Sequence, residues 1–320
     1  MKPKKILITG AAGYLGAKII QVLAEQNEVI ALDKHFPPNW KTTFPHIETW
    51  ERDLTQKTNQ ENLQQHSFDA IVHTISLDHR DCEQVSIDEL LAINLQITWE
   101  LLEHFVKKGT KLIYLSTMQV LGKLPLSRID ENTPRNLQNR YALTHAWCED
   151  LVHLYHKKYD GRAVTLRLSN GYGTPVFPEN NCWWLVVNDL CRMAVLDQRI
   201  VLRSDGSPLR DFVHIQDVAS AIEKLLQPLT SRSLYQISSG ETRTMLELAL
   251  IVQHTYQKLY QTQLPVYHSE KILVENIEAP ITKRYQIENQ RLRKMGYQPN
   301  WTLEKGIEDL LIYLTKSRLS

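Results

Sequence analysis

Short apolar runs alternate with segments of helical spacing through the first half of the chain. Ile6, Leu7 and Ile8 form a run too short for a helix, which predicts a buried strand. Leu15, Ile19, Ile20, Val22 and Leu23 then recur at helical spacing, and Glu28–Asp33 is a second apolar run that ends in an acid. A third strand is predicted over Ile47–Leu54, a short polar helix over Gln60–His66 and a fourth strand over Asp69–Ile75. The fourth is almost continuously apolar, as a parallel strand covered on both faces should be. Ser86-Ile-Asp-Glu predicts the cap of a long helix running to about Lys108, with Gly109 ending it. Lys111–Ser116 reads as a fifth strand, Tyr141–Tyr159 as a helix stopped by Asp160-Gly161, and Ala163–Leu168 as a sixth strand. This alternation predicts an α/β fold, a doubly wound parallel sheet that binds ligands at the carboxyl ends of its strands.

The pattern loosens after Asn170. Gly171–Pro175 and Pro178–Asn181 read as loops, Cys182–Leu196 as an amphipathic helix carrying Trp183 and Trp184, and Thr302–Leu314 as a last helix. Residues 1–170 are therefore expected to form the main domain and 171–320 mainly a smaller lobe, with Leu234–Ile237 returning to the main sheet. The sequence shows no internal repeat and no low-complexity run.

Between the first strand and first helix lie Gly10, Gly13 and Gly16. Strand, glycine turn and helix in that order gather free backbone N–H groups and the positive end of the helix dipole at one point, which suits a pyrophosphate. Asp33 follows Gly16 by 17 positions, near the spacing of a carboxylate that holds an adenosine ribose. The basic opening Met1-Lys-Pro-Lys-Lys5 resembles a signal peptide, but cleavage there would remove the glycine turn, so a strand with a basic entry is expected. Of 320 residues, 37 are Lys or Arg and 36 Asp or Glu; this near balance points to neither a nucleic-acid nor a membrane partner. The four cysteines form no C-x-x-C pair, which suits reduced thiols in a cytoplasmic protein. No metal site is expected.

Thr117 ends the fifth strand, and Tyr141 opens the next helix 24 residues later. A hydroxyl and a phenol so placed can converge on one substrate oxygen, the tyrosine passing a proton. With these residues in view the chain resembles the extended short-chain dehydrogenase/reductase family, the nucleotide-sugar epimerases and dehydratases, over nearly its whole length. Thr9-Gly10-Ala-Ala-Gly13-Tyr-Leu-Gly16 matches the family's glycine motif, Asp53-Leu54 its adenine-contacting pair and Asn94 the asparagine of its long fourth helix. Leu166-Arg-Leu-Ser-Asn170-Gly-Tyr-Gly173, Arg210-Asp-Phe-Val-His214, Tyr235-Gln-Ile-Ser-Ser-Gly240 and Met295-Gly-Tyr-Gln-Pro299 resemble later signatures.

The resemblance implies a Rossmann-type sheet with a C-terminal substrate-binding lobe, NAD as cofactor, a nucleotide-sugar substrate and a homodimer. It implies that Gly10, Gly13, Tyr14, Leu15, Gly16, Asp33, Asp53, Leu54, Asn94, Tyr141 and His145 bind the cofactor. Thr117, Tyr141 and His145 would be catalytic, and Thr117, Asn170, Asn181 and Arg210 would bind substrate. Pairing is expected through the helices holding Asn94 and Tyr141, where Leu90, Leu91, Leu101 and Leu102 exceed the needs of one face. The chain departs from the family where Tyr-x-x-x-Lys becomes Tyr141-x-x-x-His145, from its dehydratases where their Thr-Asp-Glu becomes Thr117-Met118-Gln119, and again where Leu121 replaces a common tyrosine. Loss of both carboxyl groups disfavours 4,6-dehydration, which needs an acid and a base. The expected activity is thus epimerisation or keto reduction by hydride transfer. The alternative, raised by His145, is an NAD-binding scaffold or sensor with impaired catalysis. Trp183 and Trp184 could each stack on a ligand ring or fill core.

Overall fold

The structure is a computed structural model that describes residues 2–125, 127–226, 232–268, 271–272 and 283–319. Seven parallel strands form its central sheet: β1 (Lys5–Thr9), β2 (Glu28–Asp33), β3 (Glu48–Glu51), β4 (Ala70–His73), β5 (Lys111–Thr117), β6 (Ala163–Leu168) and β7 (Leu234–Ile237). They lie in the order β7-β6-β5-β4-β1-β2-β3. The chain starts in the middle, winds outward to β3, then crosses back to β4 and winds the other way. The point of reversal lies between β1 and β4, where a doubly wound sheet opens its ligand crevice. The strand with a basic entry is β1, and Leu234–Ile237 does return to the sheet, in register with Thr165–Leu168.

Alternation within β1 explains why the strands read as continuous apolar runs. Ile6 and Ile8 face the layer formed by α1 (Tyr14–Leu23) and the helix Ile215–Leu225, packing with Ile19, Ile20, Val218 and Ile222. Leu7 points the other way, into a cluster with Ile97, Leu102, Phe105 and Val152 from the helices Ile97–Phe105 and Arg140–Lys158. Both faces are dry, so Ile6, Leu7 and Ile8 follow one another without a polar residue between them.

The long helix predicted from Ser86 is present but interrupted. Ser86 accepts a hydrogen bond from Glu89 N–H at 3.2 Å, Ala92–Gln96 forms a π-turn around Asn94, and Gly109 closes the run in the left-handed region with φ 102°. The helix with Tyr141 starts at Arg140 and is capped by Asn139, whose side chain accepts from Ala142 N–H at 2.7 Å.

After β6 the corrections accumulate. The helix expected from Cys182 starts at Val186, so Trp183 and Trp184 precede it. Asn170–Tyr172, read mostly as loop, is a short strand paired in parallel with Phe212–His214. The last helix spans Leu303–Leu319, beyond the expected end. A separate core unites the helices Val186–Leu196, Met245–Tyr260 and Leu303–Leu319 through Val187, Leu190, Leu248, Val252, Leu310 and Leu311. Leu90, Leu101 and Leu102 are buried within the chain itself, so they are no surplus. The exposed apolar face of 87–105 is made instead by Ile87 and Trp99, 62% and 50% exposed.

Candidate active site

The glycine turn follows from close packing. Gly10 has φ +74°, and a Cβ there would lie 2.5 Å from Thr74 Oγ1; one on Gly16 would lie 2.1 Å from the Gly10 carbonyl oxygen. Only glycine permits this approach of α1 to β1. Gly10 and Ala11 N–H donate to the Leu32 carbonyl at 2.9 and 3.2 Å, and Thr74 Oγ1 donates to the Gly10 carbonyl at 3.1 Å. These bonds hold the turn against β2 and β4. The first helical hydrogen bond runs from Ala17 N–H to the Gly13 carbonyl, so the N–H groups of Tyr14, Leu15 and Gly16 have no acceptor within the helix. Leu15 is half-buried, and Tyr14 donates its phenol to the Gly173 carbonyl at 2.7 Å, joining the turn to the strand after β6.

Asp33 ends β2 beside this turn. Its carboxylate accepts from Ala12 N–H at 3.0 Å and from Lys34 N–H at 2.7 Å. Burial raises its pKa, against which these backbone donors work. Two carboxylate oxygens can accept more than these bonds, leaving capacity for ligand hydroxyls. Asp53 is tied into its own turn, accepting from Thr55 N–H and Oγ1 at 2.9 and 2.7 Å, while Leu54 is buried. The close-packed turn, the open N–H groups and the carboxylate at the next strand end fit a dinucleotide.

Thr117 and Tyr141 come together as expected: the Thr117 hydroxyl lies close enough to the Tyr141 phenol to act on its pKa. The phenol's pKa is nevertheless raised, first by burial and then by the neighbouring Cys82 and Asp78, with Thr117 opposing. Gln119 accepts from Asn139 Nδ2 at 3.3 Å and so supports the cap of Tyr141's helix. Further along that helix, Glu149 takes a bidentate pair from Arg167 at 3.0 and 2.7 Å and a bond from Ser116 Oγ at 2.6 Å. This buried trio pins the helix to the carboxyl ends of β5 and β6. Asn94, inside the π-turn, accepts from Leu77 N–H at 2.8 Å and donates to Thr144 Oγ1 at 3.1 Å; it orders the loop after β4 and the Tyr141 helix.

His145 is buried, and its ring meets that of Tyr141 edge-on at 4.4 Å. Burial pulls its pKa down to about 3. Its Nδ1 lies 2.6 Å from the Tyr114 hydroxyl and its Nε2 3.3 Å from Ser76 Oγ. Neither partner is apparent from sequence, because each belongs to a different strand or loop and only the sheet brings them together.

The remaining expected substrate residues lie after β6. Asn170 Nδ2 donates to the Asp211 carbonyl at 2.8 Å, which sets it on the strand neighbouring that of Arg210. Arg210 is exposed, faces Arg243 across an antiparallel pair and makes no ion pair among the described residues. Asn181 is exposed and holds Trp184 Nε1 only through its backbone carbonyl, at 2.9 Å. Its neighbour Asn180, which sequence reasoning missed, donates to the Ala12 carbonyl of the glycine turn at 2.8 Å. The two tryptophans divide: Trp183 stacks on Tyr313 of the second core, and Trp184 takes the Arg80 guanidinium over its ring at 4.9 Å.

Comparison with known proteins agrees with this fold. The low-salt glycan biosynthesis protein Agl12 of Haloferax volcanii is 23% identical over 96% of this chain and 97% of its own. The UDP-glucose 4-epimerase of Thermotoga maritima, solved with UDP-glucose, superposes with a TM-score of 0.82 at 18% identity over 98% of this chain and 99% of that one. The UDP-glucose 4-epimerase of Thermus thermophilus, solved with NAD, gives 0.77 at 23% identity over 97% and 98%. These structures share the fold. A family model spanning residues 6–238 covers the whole arc from β1 to the end of β7, and by that match this chain belongs to the NAD-dependent epimerase/dehydratase family.

Proposed function

We propose that the protein is an epimerase or ketoreductase acting on a nucleotide-linked sugar, with Tyr141 exchanging the proton of the reacting hydroxyl and Thr117 holding that oxygen. The observation that carries this reading is the closeness of Thr117, at the end of β5, to the Tyr141 phenol at the start of the next helix. NAD, bound by the turn and Asp33, would supply a hydride acceptor and donor. Tyr141 takes or returns the proton while Thr117 fixes the oxygen. Arg210 suits a diphosphate: it is exposed and makes no ion pair among the described residues, whereas Arg243 opposite it is held by Glu241. Met118 and Gln119 supply no carboxyl group, which argues against elimination of water.

The second reading, an NAD-binding scaffold or sensor, is favoured by one observation: His145 is buried and engaged by the chain's own hydroxyls. A homodimer in the cytoplasm fits four buried free thiols and two apolar helix faces. Leu91, Leu95 and Trp99 line a groove of about 450 Å³ on 87–105, and Trp147 and Leu154 are exposed on the neighbouring helix. Proton NMR of the purified protein with NAD or NADH and a panel of UDP-, GDP-, CDP- and dTDP-sugars tests the proposal. Conversion of at least one sugar is expected; cofactor binding without conversion of any would favour the scaffold.

A further inference from the structure

One assignment of donors and acceptors satisfies both ring nitrogens of His145. Ser76 Oγ donates its one proton to the Leu77 carbonyl at 2.9 Å. With that proton on Leu77, Ser76 accepts from His145 Nε2, 3.3 Å away, in the tautomer that carries its proton on Nε2. Nδ1 is then bare, and the Tyr114 hydroxyl donates to it at 2.6 Å. The result is one directional chain: Tyr114 O–H to His145 Nδ1, His145 Nε2–H to Ser76 Oγ, Ser76 O–H to the Leu77 carbonyl.

The two ends of this chain differ in exposure. Tyr114 and His145 are each 3% exposed, whereas Ser76 is exposed in the crevice. Ser76 lies two residues past Thr74, which bonds the glycine turn, and it is linked through His145 to the ring beside Tyr141. It therefore stands between the pyrophosphate end of the crevice and the reacting end. The ionisable groups around the chain are His73 on β4, Tyr141 on the histidine's own helix, and Cys148 and Glu149 on that helix towards Tyr114. None is cationic, and His73 is itself held neutral by burial.

We propose that Ser76 is a cofactor-binding residue that accepts a hydrogen bond from a ribose hydroxyl of the dinucleotide, and that Tyr114 is a positioning residue which fixes His145 as the Nε2–H tautomer to orient Ser76. This rests on the cofactor reading above. Ser76 Oγ has a second lone pair for the ligand hydroxyl while its own proton stays on Leu77. A neutral relay thus occupies the place of a cation: it can bind the ribose and adds no positive charge beside Tyr141.

Two measurements test this. In ligand-free protein labelled with ¹⁵N-histidine, with His145→Gln for assignment, His145 should show a bare Nδ1 and a protonated Nε2 at pH 7. Tyr114→Phe, checked for folding by its melting curve, should shift it towards the Nδ1–H form. By calorimetry Ser76→Ala should weaken NAD binding roughly 3- to 10-fold, the loss of one hydrogen bond. ADP, which lacks the second ribose, should bind unchanged, and Ser76→Thr should restore NAD affinity. A protonated Nδ1 or a charged imidazole at pH 7 overturns the relay even where NAD binds. Unchanged NAD affinity in Ser76→Ala, or equal weakening of ADP, overturns the role of Ser76. Failure of the wild-type protein to bind NAD overturns the cofactor reading itself.

Discussion

At the scale of single residues the chemistry concentrates on one phenol. Tyr141→Phe keeps the ring against His145 and removes the group asked to carry the proton, so turnover should fall by roughly 10²–10⁴ while NAD binding changes little; steady-state rates beside a binding titration check this. An unperturbed tyrosine titrates near ~10, and acting as a base at pH 7 needs about 3 units less, or roughly 4 kcal/mol. Here burial moves Tyr141 the other way and His145, with its pKa pulled down to about 3, supplies no charge. The oxidative rate should therefore rise with pH through the alkaline range. His145→Lys should shift that limb to lower pH; a variant slower at every pH with cofactor still bound would show a role for the imidazole that lysine cannot fill. Thr117, Tyr141, Asp33 and the glycines were legible because each sits at a strand end or helix start that local pattern marks. Ser76, Tyr114 and Asn180 were not, because their partners lie 69, 31 and 168 residues away in sequence.

At the scale of elements the glycine turn is the least tolerant part. In Gly16→Ala the new methyl would meet the Gly10 carbonyl oxygen at 2.1 Å and the Ala11 Cα at 2.9 Å, both backbone atoms. α1 must move off β1, at a cost of about 1–3 kcal/mol, and the N–H groups at its start move with it. Lower thermal stability together with lost NAD affinity is expected; a variant that binds NAD as tightly as wild type would show that the turn does not hold the cofactor. The strands of the sheet could be read from sequence because burial on both faces makes them continuous apolar runs. The start of the helix at Val186 could not. Trp183 and Trp184 continue its apolar pattern, yet Trp183 packs on Tyr313 and Trp184 under Arg80 before the helix begins.

For the whole molecule, burial of three neutral histidines makes stability depend on pH. His73, His145 and His214 each have pKa values pulled from the usual 6.5 to about 3. Between these values the unfolded chain binds protons that the folded one excludes, so stability is full above about 6.5 and is lost as pH falls. At pH 5 each histidine costs roughly 2 kcal/mol, about 6 together, comparable with the stability of a typical domain. Asp33, Asp211, Asp217 and Glu131, whose pKa values are raised by burial, oppose this at the acid end. Melting temperature should fall steeply from pH 7 to 5, with proton uptake on unfolding seen by calorimetry in buffers of differing ionisation enthalpy. A flat profile would mean that the histidines are not buried as described. Assembly is tested by light scattering: a dimer is expected, and Trp99→Glu, which puts a charge on the exposed face of 87–105, should give monomers.

The central claim is hydride transfer at a sugar carbon with Tyr141 moving the proton. Rapid mixing of the NAD-loaded protein with UDP-, GDP-, CDP- and dTDP-sugars, followed by the absorbance and fluorescence of reduced nicotinamide, tests it most directly. The wild-type protein should show transient reduction with at least one sugar, and Tyr141→Phe, still binding NAD, should show none. Absence of reduction in the wild type with every sugar, or equal reduction in Tyr141→Phe, would contradict the account.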